Sequence, residues 1–409
     1  MKHLKNKMIR CLGRVMLLCL CAVMIAGTAL ANEIVDIGVE GYDTTGYDCT
    51  LPDGRMIFTG SQGEPGNYMN SRARILCLNP DKTVSWEYID SAEGSWSAHG
   101  VTLMKDGTLC VRLCNSPYQT RAEDKLVFFT QDGQPTGREI QLDVTETKEG
   151  YFNYGICDFG IITYYHANDS DDRDKEYREY TDWDGNKLFR LDGPEMLVAR
   201  LIEEEDGIVL LGNERGQNGA AKIMKIDWQG NTVWENTLPF ITEANRGAMI
   251  HCGIQTSDGG YLGVLLERPL DLQDKWKTAL VKFSSTGRVL WMNEESFDKQ
   301  PSSMFEDLIE YDGKYVLEFE DKERFDSLKM PVRYLWFDAE GKELGITELY
   351  IRKEELPRLA DSKEAQASGW MMLVMEDGLW GNFICCNDSE NHENNMASMD
   401  GILMKIPEL

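Results

Sequence analysis

Apolar residues in this chain fall into short runs of four to eight positions, each bounded by a turn signal. The clearest copy lies between Asp258 and Trp291. An Asp-Gly turn opens YLGVLLE and a polar gap follows. TALVKFSSTGRVLW then supplies a second run, a Ser-Ser-Thr-Gly turn and a strand carrying Trp291. Runs of this length, rich in Val, Ile, Leu, Phe and Tyr, predict β-strands. Asp-Gly supplies the positive φ that a tight hairpin needs.

That unit recurs. Its turn glycine falls at Gly54, Gly107, Gly207, Gly259, Gly313 and Gly378, each after Asp, with a degenerate copy at Phe159-Gly160. A period near 50 residues over nearly the whole chain marks a repeat architecture. Each unit predicts four antiparallel strands, and one such unit cannot bury both of its faces alone. The chain is therefore expected to be all-β, a seven-bladed β-propeller of four-stranded blades. The seventh unit stops at GILMKIPEL, short of a turn and a final strand. The alternating stretch NEIVDIGVEG near the start is expected to supply that strand and close the ring. Three segments fall outside the repeat: an acidic hairpin loop over 168–180, an insertion over 351–368 with room for a short helix, and a polar loop over 387–399.

Asp227, Gly230 and Trp234 form a D-x-x-G-x-x-x-W run. Ser284, Thr286, Gly287 and Trp291 match it with Ser in place of Asp, and Asn79 and Trp86 keep the spacing without the Gly. This run resembles the repeat of quinoprotein-type, pyrroloquinoline-quinone-like β-propellers of the bacterial secreted kind. The resemblance implies a propeller with Trp packed between blades; it does not imply the cofactor.

Composition adds a compartment. Lys2, Lys5, Lys7, Arg10 and Arg14, the apolar run Val15 to Ala26 and the triplet Ala29-Leu30-Ala31 read as a signal peptide over 1–31. Cleavage after Ala31 would leave a single propeller domain over 32–409, secreted or extracytoplasmic, with no membrane span and expected to be monomeric. The chain holds 42 basic and 69 acidic residues, a net charge of −27, and loss of the signal makes it more acidic still. Such a field repels nucleic acid and anionic membrane surfaces. Most of the cysteines outside the signal lie in apolar runs such as RILCLN and TLCVRLC, where buried free thiols are expected.

Candidate chemistry concentrates where the innermost strands begin. Eight residues before each turn glycine stand Gly46, His99, Phe152, Ala199, His251, Phe305 and Trp370. Histidines at equivalent positions of blades two and five, with aromatics in three others, suggest a funnel for a small molecule, a glycan or a protein segment. Glu306 and Asp307 beside Phe305 are the first candidates for a pair of hydrolytic carboxylates. Among Asp169, Asp171, Asp172 and Asp174, Arg173 and the missing Gly break the pattern of a calcium loop, so no metal is expected. Cys385-Cys386 sits in the apolar run FICC, which argues for packing rather than a quinone site, and no cofactor is expected. Two functions remain: a non-catalytic binding scaffold, which the pattern favours, and a carbohydrate-active hydrolase or lyase with carboxylates at the channel mouth.

Overall fold

A computed structural model of the chain describes residues 33–38, 42–64, 70–92, 94–115, 123–144, 150–167, 175–192, 196–214, 219–238, 245–269, 277–298, 303–321, 331–356, 365–388 and 396–409. The signal segment, Asp169 to Asp174 of the acidic hairpin and most of the 387–399 loop lie outside these residues. The apolar runs form seven four-stranded antiparallel blades, strands a to d from the axis outward. The innermost strands are Gly46–Thr50, Trp96–Leu103, Gly150–Cys157, Met196–Glu204, Asn245–Gln255, Ser303–Tyr311 and Ala365–Met375. The insertion over 351–368 contributes one turn of 3-10 helix, Lys353–Glu355. No helix among the described residues is long and apolar enough to cross a membrane.

The middle strands read as continuous apolar runs because both faces of a blade are covered. Seven apolar clusters occupy the seven gaps between neighbouring blades. Between blades four and five, for example, Val209, Leu211 and Ile223 meet Tyr261, Val281 and Phe283. The outermost strands alternate, with Glu343–Leu349 turning every second residue to water. Cys77, Cys110 and Cys157 are buried free thiols and Cys49 a half-buried one.

The ring closes through the N-terminal stretch. Ile34–Asp36 is the outer strand of blade seven, pairing Ile34 with Met404 and Asp36 with Ile402. Tyr42 then bridges the blades, facing Met399 of blade seven and Gly63 of blade one. Beneath this bridge Arg74 is buried. Its guanidinium donates to the Asp43 carboxylate at 2.5 Å, the Ile37 carbonyl at 2.8 Å and the Thr45 hydroxyl at 3.0 Å. Its Nε donates to Glu87 at 2.7 Å. Asp43 also accepts from the backbone N–H and hydroxyl of Thr45. Both charges are therefore fully bonded, the condition under which a buried pair is tolerated.

Tryptophans latch three of the other joints between blades. Trp86, Trp234 and Trp291, each on a d strand, lie against Gly133, Gly287 and Gly341 in the c–d turn of the next blade. A Cβ on Gly341 would stand 2.5 Å from the Trp291 ring, and Asn293 donates to the Gly341 carbonyl at 2.7 Å. Phe189 plays the same part against Gly230. At the closure the outer strand Ile34–Asp36 carries no aromatic residue, and the matching turn carries Lys82 in place of glycine. Lys82 holds a φ of 67°. Its ammonium reaches back to Asp377 at 2.5 Å and lies 4.0 Å from the centroid of the Trp380 ring. The missing glycine in the Asn79–Trp86 repeat thus marks the seam.

Two glycines separate the backbone requirement from the packing requirement. Gly185 and Gly341 have φ of 83° and 81°, but nothing stands within 4 Å of a Cβ on Gly185. Gly185→Ala should cost only the left-handed penalty, about 1–2 kcal/mol. Gly341→Ala adds the clash with Trp291 and should cost about 2–4 kcal/mol. Urea denaturation midpoints of the two variants check this; equal losses would remove the packing role of the Trp291 ring.

Candidate functional site

Each innermost strand except that of blade three has a β-bulge part-way along it. The residues left out of the pairing are Asp48, His99 with Gly100, Ala199, His251, Glu306 and Trp370. A bulge turns one side chain out of the ladder's alternation and is a frequent neighbour of binding sites. The count of eight residues lands on the bulge in blades two, four, five and seven. In blade six the Asp312-Gly313 pair sits one place earlier in its hairpin, between Tyr311 and Lys314, so the bulge residue is Glu306 rather than Phe305. In blade one the bulge lies two residues nearer the turn, which puts Asp48 rather than Gly46 in the ring. The paired strand of blade three keeps Phe152 in register opposite Tyr165.

His99 and His251 are both exposed, on innermost strands of blades that face one another across the ring. Water reaches the His99 ring although protein surrounds most of it. That desolvation lowers its pKa, the neighbouring Arg112 cation lowers it further, and Asp124 partly offsets them. Arg112 stands opposite the bulge and is itself tied down. It grips buried Asp124 with Nε at 3.0 Å and Nη2 at 2.8 Å, and donates across to the Tyr154 carbonyl of blade three. His99 is therefore a neutral ring at pH 7, able to accept or donate one hydrogen bond.

The other expected site residues divide. Phe152 is half-buried, 5.4 Å from Tyr165 in the gap between blades two and three, and serves that core. Asp307 follows the bulge of blade six. Its Oδ1 accepts the Leu308 N–H at 2.9 Å and its Oδ2 the Met372 N–H of blade seven at 2.7 Å. Asn382, in the second strand of blade seven, likewise accepts the Tyr47 N–H of blade one at 2.8 Å. Bulges leave backbone N–H groups outside the ladder, and these side chains satisfy them. Phe305, Glu306 and Trp370 lie in their strands with side chains outside the described residues, as does Cys386. Among the described residues no cluster of His, Cys, Asp or Glu could hold a metal ion.

Asp48 is the site residue that counting missed. A bulge shifted by two residues leaves no mark in composition. Burial pushes its carboxyl up to about 6, against the hydrogen bond it accepts from the Thr59 hydroxyl.

No known protein family and no curated protein matches the sequence. Solved structures do resemble it in fold. Prolyl oligopeptidase B from Galerina marginata is 11% identical with a TM-score of 0.46, over 88% of this chain and 47% of that one. Extracellular domains 1–2 of Drosophila semaphorin 1a are 7% identical with a TM-score of 0.47, over 91% and 88%. A quinohemoprotein alcohol dehydrogenase from Pseudomonas putida HK5 is 10% identical with a TM-score of 0.41, over 90% and 66%. The chain spans less than half the length of the oligopeptidase. Likenesses this distant carry no argument about activity, and the class established here is the architecture: a seven-bladed propeller.

The buried Asp48 carboxyl has a measurable signature. Its folded pKa lies above its ordinary 3.8, so the native state holds the extra proton and loses stability as pH rises from about 4 through about 6. Asp48→Asn should leave stability near pH 4 almost unchanged and raise it above pH 6 by on the order of 1–3 kcal/mol. Denaturation series at both pH values test this; a gain independent of pH would sink the assignment.

Proposed function

We propose that this chain is an extracytoplasmic, non-catalytic scaffold that binds a small molecule, a glycan or a protein segment at the axial ring of bulge residues. One observation carries this reading. The blades repeat in their cores but differ in the residue that stands at each bulge: Asp48, His99, Ala199, His251, Glu306 and Trp370. A surface made of dissimilar groups on a rigid frame suits recognition. Because a propeller serves many activities, the site and not the fold must carry the argument.

The hydrolytic alternative would need two carboxylates free to act on one bond. Asp307, its first candidate, spends both oxygens on backbone N–H groups that join blades six and seven. The basic start, apolar run and Ala29-Leu30-Ala31 triplet support export, and the net charge of −27 disfavours nucleic acid as a partner. Polar alternation on outer strands such as Thr232–Thr237 discourages edge-to-edge pairing and supports a monomer.

A glycan array and a peptide pull-down would first identify a ligand, whose affinity is then measured by titration. The double change His99→Ala, His251→Ala should weaken it at least about tenfold, the loss of one or two good hydrogen bonds. Affinity within twofold of the parent, in a variant of unchanged denaturation midpoint, overturns the axial site.

A further inference from the structure

Blade three departs from the plan of its neighbours. The second and third strands of blades one, two and four are almost wholly buried. Gly160–Ala167 and Tyr177–Asp182 of blade three stay half-buried along most of their length. These two strands carry Tyr164, Tyr165, His166 and Tyr177, whose polar tips resist enclosure. Blade three also has the innermost strand that pairs without a bulge.

Strand alternation sorts these rings onto two faces. On the face toward blade two, Phe152, Tyr165 and Tyr177 form a run with centroids 5.4 and 5.3 Å apart. The Arg190 guanidinium caps it 3.5 Å from the Tyr177 centroid and is neutralised by Asp192. The cation on that face is therefore spent within the chain.

The face toward blade four is built alike but left open. Tyr151 and His166 are near-parallel with centroids 5.1 Å apart, and His166 and Tyr164 continue the run at 6.3 Å. Arg178 caps it 5.6 Å from the Tyr164 centroid. Tyr164 rests against the core shared with blade four, beside Leu191 and Val198, while Tyr151 at the other end is 43% exposed. Among the described residues Arg178 makes no ion pair, and the hydroxyls of Tyr151 and Tyr164 make no hydrogen bond. An unpaired guanidinium is unexpected in a chain with 69 acidic and 42 basic residues. Burial lowers the pKa of His166, so its ring is neutral at pH 7.

Aromatic rings with a water-exposed end, bordered by unspent hydroxyls and a planar five-donor cation, match the face and edge of a sugar. A polyanion would meet the surrounding negative field. We propose that the crevice between blades three and four is a carbohydrate site. A neutral oligosaccharide stacks a ring on Tyr151 there and accepts hydrogen bonds from Arg178 and the Tyr164 hydroxyl. This site is separate from the axial ring and does not rest on it.

The test titrates the purified chain calorimetrically with cellohexaose, xylohexaose, mannohexaose, maltohexaose and chitohexaose. At least one should bind saturably. Tyr151→Ala and Arg178→Gln should each weaken it by about tenfold. Tyr151→Phe should retain it, and the His99→Ala, His251→Ala variant should bind it as the parent does. Near-UV circular dichroism shows whether each variant keeps its packing; Tyr151 is exposed enough to be replaced without loss of fold. No saturable binding to any of the five sugars overturns the proposal, as does affinity unchanged by both Tyr151→Ala and Arg178→Gln. Binding lost only in the histidine variant would assign the sugar to the axis and equally overturn it.

Discussion

The structure depends on joining its two ends. A blade has two apolar faces, and in an open array the outer faces of blades one and seven would both meet water. Pairing Ile34–Asp36 with the last strand, and crossing to blade one through Tyr42 and Asp43, removes that exposure. Arg74 and Asp43 lie beneath the crossing with nearly every polar atom engaged. Removing either partner would strand a buried charge, a loss that costs about 3–5 kcal/mol where it has been measured.

At four other joints the ring is held by a repeated contact, an aromatic residue of one blade on the turn glycine of the next. The latch makes two demands on a single residue: a left-handed backbone and no side chain. Where the aromatic partner is missing, as at Gly185 and at the seam, only the backbone demand remains. Lys82 meets it and adds a charged reach to Asp377 across the gap. The exception follows from the same geometry as the rule.

The innermost strands set the chemistry available at the axis. Bulges interrupt their ladders, and each interruption frees backbone groups as well as redirecting a side chain. Asp307 and Asn382 take up freed N–H groups across blade boundaries, which turns conspicuous polar residues into staples. His99 and His251 face water. Blade three lacks the bulge, and its aromatic second and third strands stay half-buried where those of blades one, two and four are sealed.

Much of this was legible in the sequence. Asp-Gly turns at a period near 50, apolar runs of strand length and a last unit short of its outer strand determine seven blades and their closure, because turn chemistry and two-sided burial act locally. The resemblance carried by the Asp-Gly-Trp run implied Trp packed between blades; the structure decided that each rests on the next blade's turn glycine. Counting back from the turn found the bulge in blades two, four, five and seven. It slipped in blades one and six, because a bulge position depends on pairing with a neighbouring strand rather than on the turn. Tertiary structure alone decided that Asp48 joins the ring and that Asp307 is bonded to the next blade. It alone decided that Tyr151, Tyr164, His166 and Arg178 share one open face. Each of these facts depends on which strand lies alongside, and no spacing along a single chain encodes that.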